Sequence, residues 1–134
     1  MTLKPDSVFV TLAEDDDDIR AAVTMLLEDA GYQVEALSSG GMLLERLAPA
    51  ILGDPDARRP DALITDVRMP GVNGLAMMEG LRANGWAAPI VVMTAFADED
   101  MRRRVSDLGS AVLIAKPFDP EVLTKTLGEL LAGS

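Results

Sequence analysis

"SVFVTLAEDDDDIR", residues 7–20, decides the fold. Its first half, "SVFVTLA" (7–13), is a short run apolar on both faces, the pattern of a strand covered on two sides. Five acids, Glu14 to Asp18, follow without a break. From Ile19 the apolar positions Ile19, Ala22, Val23, Leu26, Leu27 and Ala30 recur at helical spacing, and Gly31 ends the pattern. A buried strand, an acidic turn and an amphipathic helix together open a β–α unit. The charge in that turn is costly. At about 4 Å and an effective dielectric of about 20, two like charges repel by roughly 4 kcal/mol. Acids packed this densely at the end of a buried strand call for a cation.

The same alternation runs to the end of the chain. "YQVEAL" (32–37) alternates as a strand, and "GGMLLERLAPAIL" (40–52) reads as a helix interrupted at Pro49. "GDPDARRP" (53–60) reads as an exposed loop. A strand "ALITDV" (62–67), a turn "RMPGVNG" (68–74) and a helix "LAMMEGLRANG" (75–85) come next. "APIVVMTA" (88–95) and "AVLIAK" (111–116) are strands on either side of the helix "DEDMRRRVSDLG" (98–109). The last helix lies in "PFDPEVLTKTLGELLAG" (117–133), with Asp119 as N-cap and Pro120 at its first position. Five strands alternating with five helices imply an α/β fold, a parallel sheet with helices on both faces. One domain is expected over residues 1–134, with a core of about 7–131 and no output domain in this chain.

Composition narrows the function classes. With 49% apolar and 25% charged residues the chain has an ordinary globular balance, and no apolar run reaches the ~20 residues of a membrane span. The N-terminal stretch lacks a long apolar segment, so no signal peptide is expected, and the absence of Cys fits a reducing cytoplasm. A net charge of −10 argues against direct nucleic-acid binding. Without His or Cys, any metal must be held by oxygen.

In an open parallel sheet, ligands gather beyond the carboxyl ends of the strands. The first strand here ends in Glu14 and Asp15, the third in Asp66, the fourth in Thr94 and the fifth in Lys116, while Ser38 and Ser39 close the second. Three carboxylates, a hydroxyl and an ammonium thus converge. Mg²⁺ prefers about six oxygens, commonly one or two carboxylates with waters and a phosphate. An Asp can also act as a nucleophile toward a phosphoryl group. Asp16, Asp17 and Asp18 read as helix-capping and solvated acids. Met69, Pro70 and Gly74 read as turn scaffold, Met77, Met78 and Met93 as core filler, and Arg102 to Arg104 as a solvated face balancing Asp98, Glu99 and Asp100.

At this point "AEDDDDIR", "LITDVRMPGVNG", "VVMTA" and "IAKPFD", in that order at successive strand ends, resemble the receiver domain of two-component response regulators over almost the full chain. The resemblance implies a flavodoxin-like doubly wound sheet of order 2-1-3-4-5 and a cis Lys116–Pro117 bond. It implies Asp66 as phosphoacceptor, Thr94 as switch hydroxyl and Lys116 as phosphoryl-sensing lysine. Asp15 would be the direct metal ligand, with Glu14 acting partly through water and the Arg68 backbone carbonyl as a further ligand to Mg²⁺, or to Mn²⁺ in its place. The partners implied are a sensor histidine kinase or histidine phosphotransfer protein and a downstream protein, with the chain a monomer or weak dimer. It would be no enzyme beyond its own phosphorylation and dephosphorylation.

Two features depart from the family. Leu113 stands where receivers commonly carry an aromatic residue, so the usual coupling of Thr to a swinging ring is missing. Arg68 and Phe96 occupy positions that commonly tune phosphoryl lifetime, and a long lifetime is expected. The alternative reading is a receiver-like interaction module with atypical switching. An Asp-nucleophile phosphatase would want a second Asp where Arg68 stands; an EF-hand loop would want Gly and Glu where Arg20 and Leu26 stand.

Overall fold

The computed structural model describes residues 8–133, so the expected strand start at Ser7 lies outside the described residues. The chain runs β1 (Phe9–Ala13), α1 (Asp17–Asp29), β2 (Gln33–Leu37), α2 (Gly40–Ile51), β3 (Ala62–Asp66), β4 (Arg68–Met69), β5 (Val72–Asn73), α3 (Gly74–Ala83), β6 (Ile90–Thr94), α4 (Glu99–Asp107), β7 (Ala111–Ala115) and α5 (Pro120–Ala132). Five strands form one parallel sheet in the order β2-β1-β3-β6-β7. Once the small β4–β5 ladder is set aside, that is the expected 2-1-3-4-5 order.

Successive side chains on a strand point to opposite faces, and each face has its own apolar layer. Val10, Leu12, Ile64, Val91 and Met93 pack with Val23 and Leu27 of α1 and with Leu123 and Leu127 of α5. Leu63, Ile90 and Val92 pack with Leu43 and Leu47 of α2, Met78 and Leu81 of α3, and Val105 of α4. Burying a side chain such as Leu27 contributes roughly 1.5–3 kcal/mol. Met78 and Met93 are fully buried, as core filler should be, and Met77 packs partly against the core. Among the described residues, one side-chain polar atom is stranded inside: the Thr11 hydroxyl, on β1, is buried with no hydrogen-bond partner.

The capping reading of the acidic turn holds: the Asp16 carboxylate takes the amides of Asp18 and Ile19, and α1 starts at Asp17 with Asp17 and Asp18 exposed. Two expectations are corrected. Helix α2 is not interrupted at Pro49 but continues to Ile51. A proline removes the bond to the carbonyl four residues back, here that of exposed Glu45, where water can replace it. The segment "RMPGVNG" is more than a turn: Arg68 pairs with Asn73 and Met69 with Val72 in a two-residue antiparallel ladder, with Gly71 at φ 80° between them.

The amino-terminal edge of the sheet is tied by Arg82. Its guanidinium donates to the carbonyls of Trp86 and Ala88, at the entry to β6, and of Leu108, Gly109 and Ser110, at the entry to β7. The arginine triplet of α4 is only partly a solvated face. Arg103 pairs with Asp100 on its own helix, whereas Arg104 takes Glu79 of α3 in a two-point contact at 2.5 and 3.1 Å.

Candidate functional site

The parallel register levels the strand ends. Ala13 pairs with Leu37 and Thr65, Asp66 with Met93, and Thr94 with Ala115. Glu14, Asp66, Thr94 and Lys116 therefore emerge side by side from β1, β3, β6 and β7. Glu14 is fully buried; its amide donates to the Leu37 carbonyl (3.1 Å), and its own carbonyl accepts from Arg20 Nη1 (3.0 Å). Arg20 is held in turn by Asp17 at 2.6 Å. Sequence reading did not mark Arg20 as a site residue, although its i,i+3 spacing from Asp17 on a helix face is a readable signal.

Lys116 links the two buried carboxylates. Its ammonium donates to Asp66 Oδ2 at 2.7 Å and to Glu14 Oε1. Asp66 Oδ1 accepts the Arg68 amide at 2.8 Å, and Glu14 Oε2 accepts the Asp16 amide at 3.2 Å. Thr94 is fully buried; its Oγ1 accepts the Phe96 amide at 3.2 Å, leaving the hydroxyl proton to donate elsewhere. Its carbonyl accepts the Lys116 amide at 2.7 Å, and the Lys116–Pro117 bond is cis.

Burial pushes the Glu14 carboxyl above the usual carboxylate range, and the Lys116 hydrogen bond and the Asp16 amide offset this only in part. For Lys116, burial pulls downward, but the hydrogen bonds and charges of Asp66 and Glu14 together outweigh it and hold the ammonium above its ordinary value. One ammonium faces three acids. Glu14, Asp15 and Asp66 each offer an oxygen, and the three atoms lie within 4.8 Å of one another. Asp15 is exposed and gives solvent access to this set. An all-oxygen, anionic donor set with an open side suits a small hard divalent cation, so the residues present fit Mg²⁺.

The remaining residues fall around this pocket. Arg68 follows Asp66 by two positions in β4, and its guanidinium lies over the exposed Phe96 ring at 5.3 Å from the centroid. That contact joins the segments leaving β3 and β6. Leu113 sits in the middle of β7, opposite Val92, partly buried against the layer under α2, α3 and α4.

A doubly wound parallel sheet with a carboxylate–lysine pocket at its carboxyl edge defines a class of α/β signalling domain built around one acidic site. The chain belongs to the response regulator receiver domain family, whose sequence pattern matches residues 10–128. It is 34% identical over 115 residues to the transcriptional regulatory protein FixJ of Azorhizobium caulinodans, covering 86% of this chain and 51% of that protein. It is 34% identical over 125 residues to the response regulator MprA of Mycobacterium ulcerans, covering 93% of this chain and 50% of that one. Among solved structures, the chemotaxis response regulator CheY4 of Vibrio cholerae superposes with a TM-score of 0.76 at 29% identity, covering 92% of this chain and 98% of that chain. The chain thus spans about half the length of FixJ and MprA and nearly all of CheY4. Among the described residues no helix is long and apolar enough to cross a membrane.

Proposed function

We propose that this receiver accepts a phosphoryl group on Asp66 in a Mg²⁺-dependent reaction. The observation that carries the reading is the convergence of Glu14, Asp15 and Asp66 oxygens within 4.8 Å, with Lys116 bonded to Asp66. In the reaction, an Asp66 carboxylate oxygen forms a bond to phosphorus. The bond from phosphorus to the donor's imidazole nitrogen, or to an acyl oxygen, breaks, and the leaving group keeps the electron pair. The chain has no His, so a phosphohistidine donor belongs to a partner: a histidine kinase or phosphotransfer protein.

Glu14, Asp15, Asp66 and the Arg68 carbonyl would hold Mg²⁺, whose positive charge would let an anionic donor approach an acidic pocket. Lys116, already on Asp66 Oδ2, stabilises charge spreading over the phosphoryl oxygens. The Thr94 hydroxyl donates to one of them. The Arg68 guanidinium over the Phe96 ring, on the segments leaving β3 and β6, would restrict water at the phosphoryl group and lengthen its lifetime. The chain turns over no separate substrate. Its place is the cytoplasm, and its net charge of −10 supports protein partners rather than nucleic acid. The transcriptional role in the name of FixJ describes a longer protein, of which the matched stretch makes up 51%.

Leu113 supports a second reading, an interaction module whose surface responds weakly to phosphorylation, because a leucine on β7 has no ring to exchange between two positions. Intact-mass measurement with Mg²⁺ and acetyl phosphate, on wild type and Asp66→Asn, tests the first reading. A Mg²⁺-dependent adduct on wild type alone supports it. The spread of amide shifts into β7 then decides between switch and uncoupled acceptor. No adduct with acetyl phosphate, a kinase or a beryllofluoride mimic would sink phosphorylation.

A further inference from the structure

Gly40 is the first residue of α2, and the space its side chain would fill is taken by Val72 of β5. A Cβ built on Gly40 would lie 2.7 Å from Val72 Cβ, 2.9 Å from Cγ2 and 3.1 Å from Cγ1. The closest of these atoms is Cβ, which rotation about χ1 does not move, so no rotamer of Val72 relieves the contact. The backbone of β5 must retreat instead, by roughly 0.7 Å to reach ordinary carbon–carbon contact. On the far side the hairpin is equally pinned. A Cβ on Gly74 would meet Val67 Cα at 2.9 Å and the Val67 carbonyl oxygen at 3.0 Å, both backbone atoms.

What lies between these two pins is the Arg68 segment. Val72 pairs with Met69, Asn73 pairs with Arg68, and the Arg68 amide holds Asp66 Oδ1. A displacement entering at Val72 therefore reaches the acid pocket through one two-residue ladder. Mg²⁺ demands near-ideal octahedral geometry, and a functional constellation tolerates only about 0.5 Å of error. We infer that Gly40 is a positioning residue for the metal site: its bare backbone seats Val72, and that seat fixes the Arg68 carbonyl and the Asp66 carboxylate for Mg²⁺. This rests on the metal reading above.

The test is a Mg²⁺ titration followed by the amide NMR signals of Asp66 and Arg68, on wild type, Gly40→Ala, Val72→Gly and the double variant. Urea unfolding in EDTA is measured alongside. Alanine has the better helix propensity, so on helix grounds Gly40→Ala is neutral or favourable. The expected result is about tenfold weaker Mg²⁺ binding by folded Gly40→Ala, in the range known for residues supporting metal ligands. Val72→Gly, which empties the seat from the other side, also weakens binding. The double variant, which trades the crowding methyl against the valine, binds more tightly than Gly40→Ala.

Folded Gly40→Ala with wild-type Mg²⁺ affinity overturns the inference. If Gly40→Ala does not fold, wild-type affinity in Val72→Gly overturns it. A double variant no better than Gly40→Ala also overturns it. Wild type that ignores Mg²⁺ ends the metal reading itself, a failure visible before any variant is compared.

Discussion

Lys116→Met keeps the side-chain stem and removes the ammonium that stands between two carboxylates. The Lys116 side chain is 13% exposed, Glu14 is 0% and Asp66 is 10%, so little water is at hand to take over. Removing one partner of a buried pair costs about 3–5 kcal/mol, chiefly because the other charge is left uncompensated. The pocket opens to solvent at Asp15, which favours the lower end, about 3 kcal/mol. With a urea slope of about 2 kcal/mol per molar, the metal-free midpoint falls by about 1.5 M. A cation that binds only the folded state stabilises it by about 2.7 kcal/mol at 100 times its Kd. Mg²⁺ should recover more stability in Lys116→Met than in wild type, because there it neutralises carboxylates that nothing else pairs. The assay is urea unfolding in EDTA and in saturating Mg²⁺. A variant within about 0.5 kcal/mol of wild type in EDTA, or an equal Mg²⁺ gain in both proteins, would refute the view that Lys116 compensates this pair.

Thr11→Val replaces an unpartnered buried hydroxyl by a methyl and should raise stability by about 1 kcal/mol, a urea midpoint about 0.5 M higher; an unchanged or lower midpoint counts against it. Hydrogen bonds from Arg104 hold the Glu79 carboxyl below its ordinary value of 4.5. A depressed carboxyl contributes stability above its unfolded value and loses it as pH falls through its folded one. The stability difference between wild type and Glu79→Gln should therefore be full above pH 4.5 and close as the solution is acidified below it. Equal pH profiles for the two proteins would contradict this. Phe96→Ala removes the ring under Arg68 and should speed phosphoryl loss about two- to fivefold, the worth of an exposed cation–π contact. The decay of the intact-mass adduct measures it, and an unchanged half-life removes the contact from the mechanism.

What could be read in advance follows from the range of each interaction. The strands and the ends that carry Glu14, Asp66, Thr94 and Lys116 were legible because each is a local apolar run closed by a polar residue. The helix cap at Asp119 was legible for the same reason, since it acts within three residues. The β4–β5 ladder was not, because two residues per strand give no alternation to see. Arg82 was invisible as a tie because its partners are backbone carbonyls, up to 28 positions away and carrying no residue signature. The fit of Gly40 to Val72 was hidden likewise, for a missing side chain leaves no mark except against its neighbour. The placement of the acidic pocket was readable because Glu14, Asp66 and Lys116 each close a strand of the same parallel sheet.

The five carbonyls gathered by Arg82 give the domain a mechanical direction. The entries of β6 and β7 are riveted to one guanidinium, while the exits of the same strands end at Thr94 and Lys116 in a pocket whose charge is out of balance. A change of charge at the exits therefore acts on strands clamped at the far end, like a load on the free tip of a cantilever. Displacement should grow from the rivet toward the tip, so the loops after β6 and β7 move while their entries serve as the fixed frame.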